Sequence, residues 1–227
     1  MEERLAQLAK MVDQGARIAD IGTDHAYLPI ELVKDGKVNF AVASDVAKGP
    51  LQNAQDDIEQ AGLLTQISTR LGSGLSTIRE EDKIDTVIIA GMGGKLMVDL
   101  LEKAKENKQV YPTLILEPNV GEANVRSWLS NNNYKIIQEK IIKVAGHIYE
   151  LIKAEHSHKA VPLSLKDIIF GPILVKEKNE VFHEKWTNQL AYQKNLINNL
   201  SKAKNINTEK INQSKELIKM IKEVIEK

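Results

Sequence analysis

The chain has 227 residues, of which 42% are hydrophobic, and it carries 31 basic and 31 acidic residues. It contains no cysteine, which excludes disulfides and thiolate metal sites, and no apolar run approaches the roughly 18 residues that span a membrane. We expect an α/β domain with a smaller added element, located in the cytoplasm and not in a membrane.

Strands and helices alternate along most of the chain, which predicts a mostly parallel sheet covered by helices. The last two strands flank Ala145-Gly146, and this turn predicts a hairpin that places one antiparallel strand in the sheet. A sheet of seven strands with this ending resembles the Rossmann-like sheet of class I methyltransferases. The predicted strands are Arg17–Ile21, Phe40–Ser44, Gln66–Leu71, Asp85–Ala90, Thr113–Leu116, Tyr134–Lys143 and His147–Lys153, and the predicted helices are Glu3–Asp13, Pro29–Lys34, Leu51–Gln60, Leu96–Lys105 and Val125–Ser130.

The segment after the polar linker Glu155–Val161 has the periodicity of two amphipathic helices separated by Lys202–Asn207. This pattern predicts an all-α antiparallel coiled-coil hairpin, and hence two domains, 1–160 for the sheet and 161–227 for the hairpin. The predicted packing residues are Phe182, Trp186, Leu190, Gln193, Ile197 and Leu200 on the first helix, and Ile211, Ile218, Ile221 and Ile225 on the second.

Residues 155–227 carry 13 lysines against nine acidic residues, so the C-terminal part is basic although the whole chain is neutral. A basic segment is compatible with nucleic-acid binding. On charge alone, an ordinary lysine-rich helix surface is the favoured explanation.

A strand that ends in Asp20-Ile-Gly22 and leads into a helix is typical of a cofactor turn in α/β proteins. The glycine allows a ligand to approach the backbone closely, and the acid can accept hydrogen bonds from a positively charged amino group. The alternative is a plain turn with a helix-capping acid. Thr23 and the residues after it supply no further glycine, which argues against the glycine-rich pyrophosphate turn of an NAD-dependent oxidoreductase.

Four more strand ends carry candidate ligand groups. Asp45 can bind the ribose hydroxyls of a nucleoside cofactor, and Gly72-Ser-Gly74 leaves room for an adenine ring. The glycine-rich segment Ala90–Gly94 lies at the mouth of the sheet, where α/β proteins bind ligands. Asn119 can hydrogen-bond to a base edge, although Pro118-Asn119 is also an ordinary turn.

These motifs together resemble the bacterial tRNA adenine-N1 methyltransferases that modify position 22 in the D-arm. The resemblance rests on Asp20-Ile-Gly-Thr-Asp-His-Ala-Tyr-Leu-Pro29, Gly49-Pro50, Ile89-Ala-Gly-Met-Gly-Gly94, Pro118-Asn119 and Phe170-Gly-Pro172 with Glu184-Lys-Trp186. Thr23 stands where the family usually has serine, and Asp45 where it usually has glutamate.

The resemblance implies S-adenosyl-L-methionine as cofactor and tRNA as substrate. The implied catalytic candidates are Asp24, which could bind the exocyclic amine of the adenine, His25 and Tyr27, which could shape its pocket, and Asn119. The implied cofactor-binding residues are Asp20, Gly22, Thr23, Asp45, Val46, Gly72, Ser73, Gly74, Ala90, Gly91, Met92 and Gly93.

The histidines lack the spacing of metal ligands, so we expect no metal, and we expect a monomer. Two other functions stay open at this point. A methyltransferase could act on another RNA base or on a small molecule, and a non-catalytic protein could bind RNA, although it would not need acids at the ends of two strands.

Overall fold

The strands form one seven-stranded sheet in a computed structural model that describes residues 2–202 and 207–226. Their order is β3-β2-β1-β4-β5-β7-β6, and β7 is antiparallel to both of its neighbours, as the predicted hairpin requires. The predicted Rossmann-like sheet is therefore confirmed. The strands are β1 (Ala16–Ile21), β2 (Val38–Asp45), β3 (Ile67–Leu71), β4 (Thr86–Gly93), β5 (Thr113–Val120), β6 (Tyr134–Val144) and β7 (His147–His156).

Helices cover both faces of the sheet. Neighbouring residues of the central strands alternate between two cores, since Val87 and Ile89 pack on one face while Ile88 packs on the other. The helices are α1 (Glu3–Met11), α2 (Tyr27–Lys34), α3 (Lys48–Gln60), α4 (Gly94–Glu106), α5 (Glu122–Asn131), α6 (Leu165–Phe170), α7 (Leu174–Glu177), α8 (Glu180–Ser201) and α9 (Thr208–Ile225).

Strand β4 is longer than predicted, because the segment Gly91–Gly93 continues to pair with β5 beyond Ala90. Gly91 has φ +74°, and the register shifts next to it, so the extra residue forms a bulge. The sequence pattern does not reveal that this segment belongs to β4, because it contains glycines and one residue that is left unpaired. The bulge also brings the backbone of Gly91 to the carboxyl edge of the sheet.

The C-terminal helices α8 and α9 pack on each other, as the predicted hairpin requires. On α8 the predicted residues Phe182, Trp186 and Gln193 are buried. On α9 the buried positions include Val224, whereas the predicted Ile218 and Ile225 are only partly buried. Residues 203–206 of the predicted connection lie outside the described residues.

The predicted domain boundary at 160/161 falls in the irregular segment between β7 and α6, and it stays a prediction. Two short helices, α6 and α7, lie between β7 and the hairpin, and they contact α5 and β6 respectively. The sequence periodicity did not distinguish them from the hairpin.

A buried ion cluster joins the hairpin to the sheet. Arg126 of α5 donates from Nε to Glu139 of β6 at 2.8 Å and from Nη2 to Glu150 of β7 at 2.5 Å. Lys185 of α8 donates to Glu150 at 2.8 Å and also to Glu122 at the start of α5. Arg126, Glu139 and Glu150 are at most 2% exposed, so each charge depends on its partners.

The Phe-Gly-Pro and Glu-Lys-Trp motifs of the tail build this junction. Gly171 has φ +82°, and a Cβ added there would lie 2.8 Å from Arg126 Nη2 and from both carboxylate oxygens of Glu139. Phe170 packs against Trp186 with ring centroids 4.4 Å apart. The Phe-Gly-Pro and Glu-Lys-Trp motifs therefore have a packing role, because they hold the helical tail against the ion cluster.

Candidate active site

Two acidic side chains, Asp20 and Asp45, lie at the carboxyl ends of the adjacent strands β1 and β2. Asp20 is 9% exposed, and burial raises the pKa of its carboxyl to about 6, although the Thr23 hydroxyl and the Arg4 guanidinium lower it in part. Asp45 is more open, and its Oδ1 accepts the backbone N–H of Ala47 at 2.6 Å. A buried carboxylate without a full set of partners is suited to a positively charged ligand.

A cleft of about 160 Å³ opens beside these acids, where β1, β2 and β3 end and α4 begins. Gly22 has φ +80°, a left-handed conformation that favours glycine, and its Cα faces the terminal methyl group of Met92. The cleft contains seven of the predicted cofactor residues. Its lining residues are Ile21, Gly22, Ser44, Asp45, Val46, Gly72, Ser73, Gly74, Met92, Leu96 and Leu100.

A second cavity of about 340 Å³ continues from Gly22 toward α1 and α2. It contains the predicted cofactor residues at the end of β1 together with two of the predicted catalytic residues. The two cavities share Gly22, so they form one elongated site along the edge of the sheet. The second cavity is lined by Glu2, Arg4, Leu5, Asp20, Gly22, Thr23, Asp24, Tyr27, Leu28, Ala90 and Gly91.

The turn before α2 presents the predicted catalytic side chains. His25 and Ala26 have φ of 60° and 49°, a left-handed conformation that costs non-glycine residues about 1 kcal/mol each. The turn leaves Asp24 72% and Tyr27 53% exposed. The His25 ring stacks on Tyr27 with centroids 5.1 Å apart, and its Nδ1 lies 2.8 Å from Asp57 Oδ2 on α3. Sequence reasoning missed Asp57, which lies 32 residues away from its partner.

A hydrogen-bonded group fixes the bulge at the end of β4. The backbone N–H of Gly91 donates to Glu117 Oε2 at 3.2 Å, and its carbonyl accepts Asn119 Nδ2 at 2.7 Å. Arg4 of α1 donates from Nη1 to the same Glu117 oxygen at 2.5 Å. The amide NH2 of Asn119 therefore donates to the protein backbone and helps to position Gly91. The contact with a base edge that the sequence predicted for Asn119 stays a prediction.

Glu117 and Arg4 were missed by the sequence reasoning, although the signal for Glu117 was available. It is an acid at the end of a buried apolar strand, the pattern that singled out Asp20 and Asp45. Arg4 lies on a helix that precedes all the motifs, and nothing in its spacing connects it with them.

Three predicted residues, His25, Gly93 and Asn119, line neither cavity of the elongated site. Gly93 is the N-cap residue of α4. Asn119 lines a separate groove of about 520 Å³ between the β5–α5 connection and the helical hairpin.

The site fits a nucleoside cofactor that carries an amino-acid end. Buried polar atoms without a hydrogen-bond partner include Ser44 Oγ near the end of β2 and Glu117 Oε1 in β5. The glycines of the first cleft leave space for a flat ring, and the acids supply acceptors for hydroxyl and ammonium groups. A ligand with a sugar, a ring and a charged end would use these groups together.

Within residues 2–202 and 207–226, no group of three or more histidine, aspartate or glutamate side chains is arranged to hold a metal ion. In the same part of the chain, every helix is too short or too polar to cross a membrane.

The sheet order, the antiparallel strand β7 between β5 and β6, and the elongated site at the carboxyl ends of the strands define the class I, Rossmann-like methyltransferase fold. The model of the family described as tRNA (adenine(22)-N(1))-methyltransferase matches residues 18–226. The chain belongs to this family.

Relatives of known structure resemble the chain over its whole length. It is 36% identical to the tRNA (adenine(22)-N(1))-methyltransferase of Bacillus subtilis over 100% of this chain and 97% of that protein. A Streptococcus pneumoniae protein solved in complex with S-adenosyl-L-methionine has a TM-score of 0.89 and 36% identity, with 99% of both chains covered. The M. capricolum relative, solved with S-adenosyl-homocysteine, has a TM-score of 0.87 and 33% identity, over 100% of this chain and 98% of that one.

Proposed function

We propose that this protein transfers a methyl group from S-adenosyl-L-methionine to N1 of adenine 22 in the D-arm of tRNA. The observation that carries the proposal is the elongated site, which joins a nucleoside-sized cleft to a cavity lined by Asp20 and Asp24. Family membership supports the identity of the substrate. The geometry of the site alone is also compatible with methylation of another RNA base or of a small molecule. A non-catalytic RNA-binding protein would not need a cofactor cleft of this kind.

The chain's own residues can hold each part of the cofactor. Asp45 would accept hydrogen bonds from the ribose hydroxyls, and the cleft that Val46 and Gly74 line would receive the adenine ring. Asp20, which lines the second cavity, would accept hydrogen bonds from the ammonium group. When bound, the cofactor supplies an electrophilic methyl group on a positively charged sulfur. The backbone of Ala90 and Gly91 forms the wall beside the reacting end.

The target nitrogen needs no general base. N1 of adenine is unprotonated at neutral pH, so its lone pair can attack the methyl group directly. As the N–C bond forms, the C–S bond breaks and the sulfur keeps its electron pair, so the products are a cationic 1-methyladenine and neutral-sulfur S-adenosyl-homocysteine. The protein then has two tasks, which are to orient the base and to stabilise the positive charge that develops on it.

The exposed turn before α2 is suited to these tasks. Asp24 can accept a hydrogen bond from the exocyclic amine, which gains positive character as N1 is alkylated. The stacked rings of His25 and Tyr27 offer a flat surface for the base, and the contact with Asp57 fixes the imidazole orientation. Because the target edge is stacked inside folded tRNA, the base must first be extruded, at a cost of a few kcal/mol.

The Asp24→Asn variant tests this assignment on an unmodified tRNA transcript. We expect kcat to fall by about tenfold or more, the effect of losing one charged hydrogen-bond acceptor in the transition state. Asp35→Asn is the matched control, since it removes an exposed carboxylate from the other end of α2. Mapping the modified nucleoside identifies the product. Wild-type turnover by Asp24→Asn would refute the role of Asp24, and a product other than 1-methyladenine at position 22 would refute the substrate.

The helical hairpin is proposed to bind the tRNA backbone. Lys194, Lys215, Lys219 and Lys222 are exposed on α8 and α9, where they can reach phosphates. Replacing these four lysines with glutamine should weaken tRNA binding and reduce its dependence on salt concentration. An unchanged salt slope would leave the hairpin with a packing role only.

The protein is further proposed to act as a monomer in the cytoplasm, where its proposed substrate occurs. Light scattering of the purified protein, with and without tRNA, measures the oligomeric state directly. A dimer mass in either sample would contradict the proposed state.

A further inference from the structure

A third cavity, of about 680 Å³, lies beside the second cavity and is lined by residues of α1, α2 and α3. The two cavities share Glu2, Leu5 and Tyr27, so they meet at a common wall. The first cleft contains none of these three residues and joins the second cavity at Gly22. The second cavity therefore has the first cleft as one neighbour and the third cavity as another.

The proposed substrate is a polynucleotide, which restricts what can surround the reacting base. An adenine extruded into the second cavity stays covalently linked to a nucleotide on each side. These two nucleotides must lie beside the second cavity, and the first cleft is taken by the cofactor. The third cavity is positioned to receive one of them.

The lining of the third cavity suits a base. Leu5, Ile30 and Ala61 supply apolar surface. Tyr27 supplies an aromatic ring, one face of which stacks on His25. Proteins bind unstacked RNA bases on apolar and aromatic surfaces of this kind, and they hydrogen-bond to the edges of those bases.

The charged groups of the cavity indicate which base edge fits. Its acidic side chains are Glu2, Glu31 and Asp57, and carboxylates accept hydrogen bonds but repel phosphate. Asp57 is bonded to His25, and Glu2 Oε1 lies 3.8 Å from Arg4 Nε. Within residues 2–202 and 207–226, no side chain forms an ion pair with Glu31. Its carboxylate matches an exocyclic amine, which adenine, guanine and cytosine carry and uracil lacks.

We infer that the third cavity binds the base of a nucleotide adjacent to the target adenine, and that the Glu31 carboxylate accepts a hydrogen bond from the exocyclic amine of that base. This inference rests on the proposed function. Lys34, the one cationic side chain among the lining residues in the described part of the chain, supplies a partner for the phosphate of the same nucleotide. The protein then recognises the base beside its target as well as the target itself.

Turnover of tRNA transcripts that carry cytosine or uracil at either position next to adenine 22 tests the inference on the full chain. Cytosine presents an amine where uracil presents a carbonyl oxygen. At one of the two positions we expect the wild type to have a kcat/KM about tenfold higher with cytosine, the scale of a hydrogen bond to a charged group. Glu31→Ala should reduce this preference to about twofold or less. Glu59→Ala, which removes an exposed carboxylate of α3 outside the cavity, is the matched control and should keep the preference.

The comparison of preferences removes indirect effects. A base change that disturbs tRNA folding affects the wild type and Glu31→Ala alike, and alanine is well tolerated within a helix such as α2. Where a transcript is not methylated, the Kd from filter binding is compared in place of kcat/KM. An equal preference in the wild type and Glu31→Ala, or no preference at either position, would overturn the inference. Failure of the wild type to form 1-methyladenine at position 22 of the unaltered tRNA would instead overturn the proposed function.

Discussion

Replacing Asp20 with asparagine should stabilise the cofactor-free protein at neutral pH while it destroys the ammonium site. The carboxyl of Asp20 has a pKa of about 6 in the folded protein, against an ordinary value of 3.8. The difference, at about 1.4 kcal/mol per pH unit, corresponds to roughly 3 kcal/mol of stability that the ionised carboxylate costs the fold.

The pH dependence follows from the direction of the shift. Below about pH 4 the carboxyl is protonated in both folded and unfolded chains, so its pKa shift does not affect stability. Between about pH 4 and 6 the unfolded chain loses the proton first, and the cost to the fold grows to its full value. Above pH 6 both states are ionised and the cost stays constant. The stability gained by Asp20→Asn should therefore rise from pH 4 to 6 and then level off.

Urea unfolding of both proteins at a series of pH values between 4 and 8 measures this difference. Asp35→Asn controls for the loss of one exposed negative charge. The wild type and Asp20→Asn should also differ in ligand binding. The affinity of the wild type for S-adenosylhomocysteine should fall as the pH drops below 6, whereas Asp20→Asn should bind this ligand weakly at every pH. A stability difference that does not change with pH would refute the argument that Asp20 is destabilised by burial.

Two glycine substitutions test close packing, each measured by urea unfolding against a matched glycine. Gly94→Ala should cost about 1–3 kcal/mol, because its Cβ would overlap the carbonyl oxygen of Gly121, whereas Gly49→Ala, in open space, should be near neutral. Gly171→Ala should cost about 3 kcal/mol, because its Cβ would press on the buried ion cluster, whereas Gly146→Ala has the same positive φ but open space and should cost about 1 kcal/mol. Equal costs within either pair would contradict the packing described.

The sheet could be predicted from the sequence because its signals are local. Strands β4 and β5 contain continuous apolar runs, and each of the first five predicted strands is followed directly by a glycine or an acid. The same reasoning placed Asp20 and Asp45 at one edge, since parallel strands end together. The same reasoning predicted that β4 ends at Ala90, because the glycine-rich bulge that follows has the sequence of a loop although the strand continues to pair with β5 beyond it.

The contacts that complete the site could not be predicted in the same way. Asp57 and Arg4 lie on faces of helices where a charged residue is ordinarily solvated, and only the folded arrangement brings them to His25 and Glu117. Buried Arg126 is equally hidden in the sequence, because an arginine on an amphipathic helix predicts an exposed side chain.

The ion cluster has a consequence for how the chain folds during synthesis. When the ribosome has completed β7, Glu122, Glu139 and Glu150 have Arg126 as the cluster's one cation, because Lys185 has not yet emerged. The sheet of the nascent chain is then an incomplete structure with excess negative charge at the place where the tail will dock. We expect tight packing of that edge to wait for α8, so that the newly made protein becomes protease-resistant in one late step.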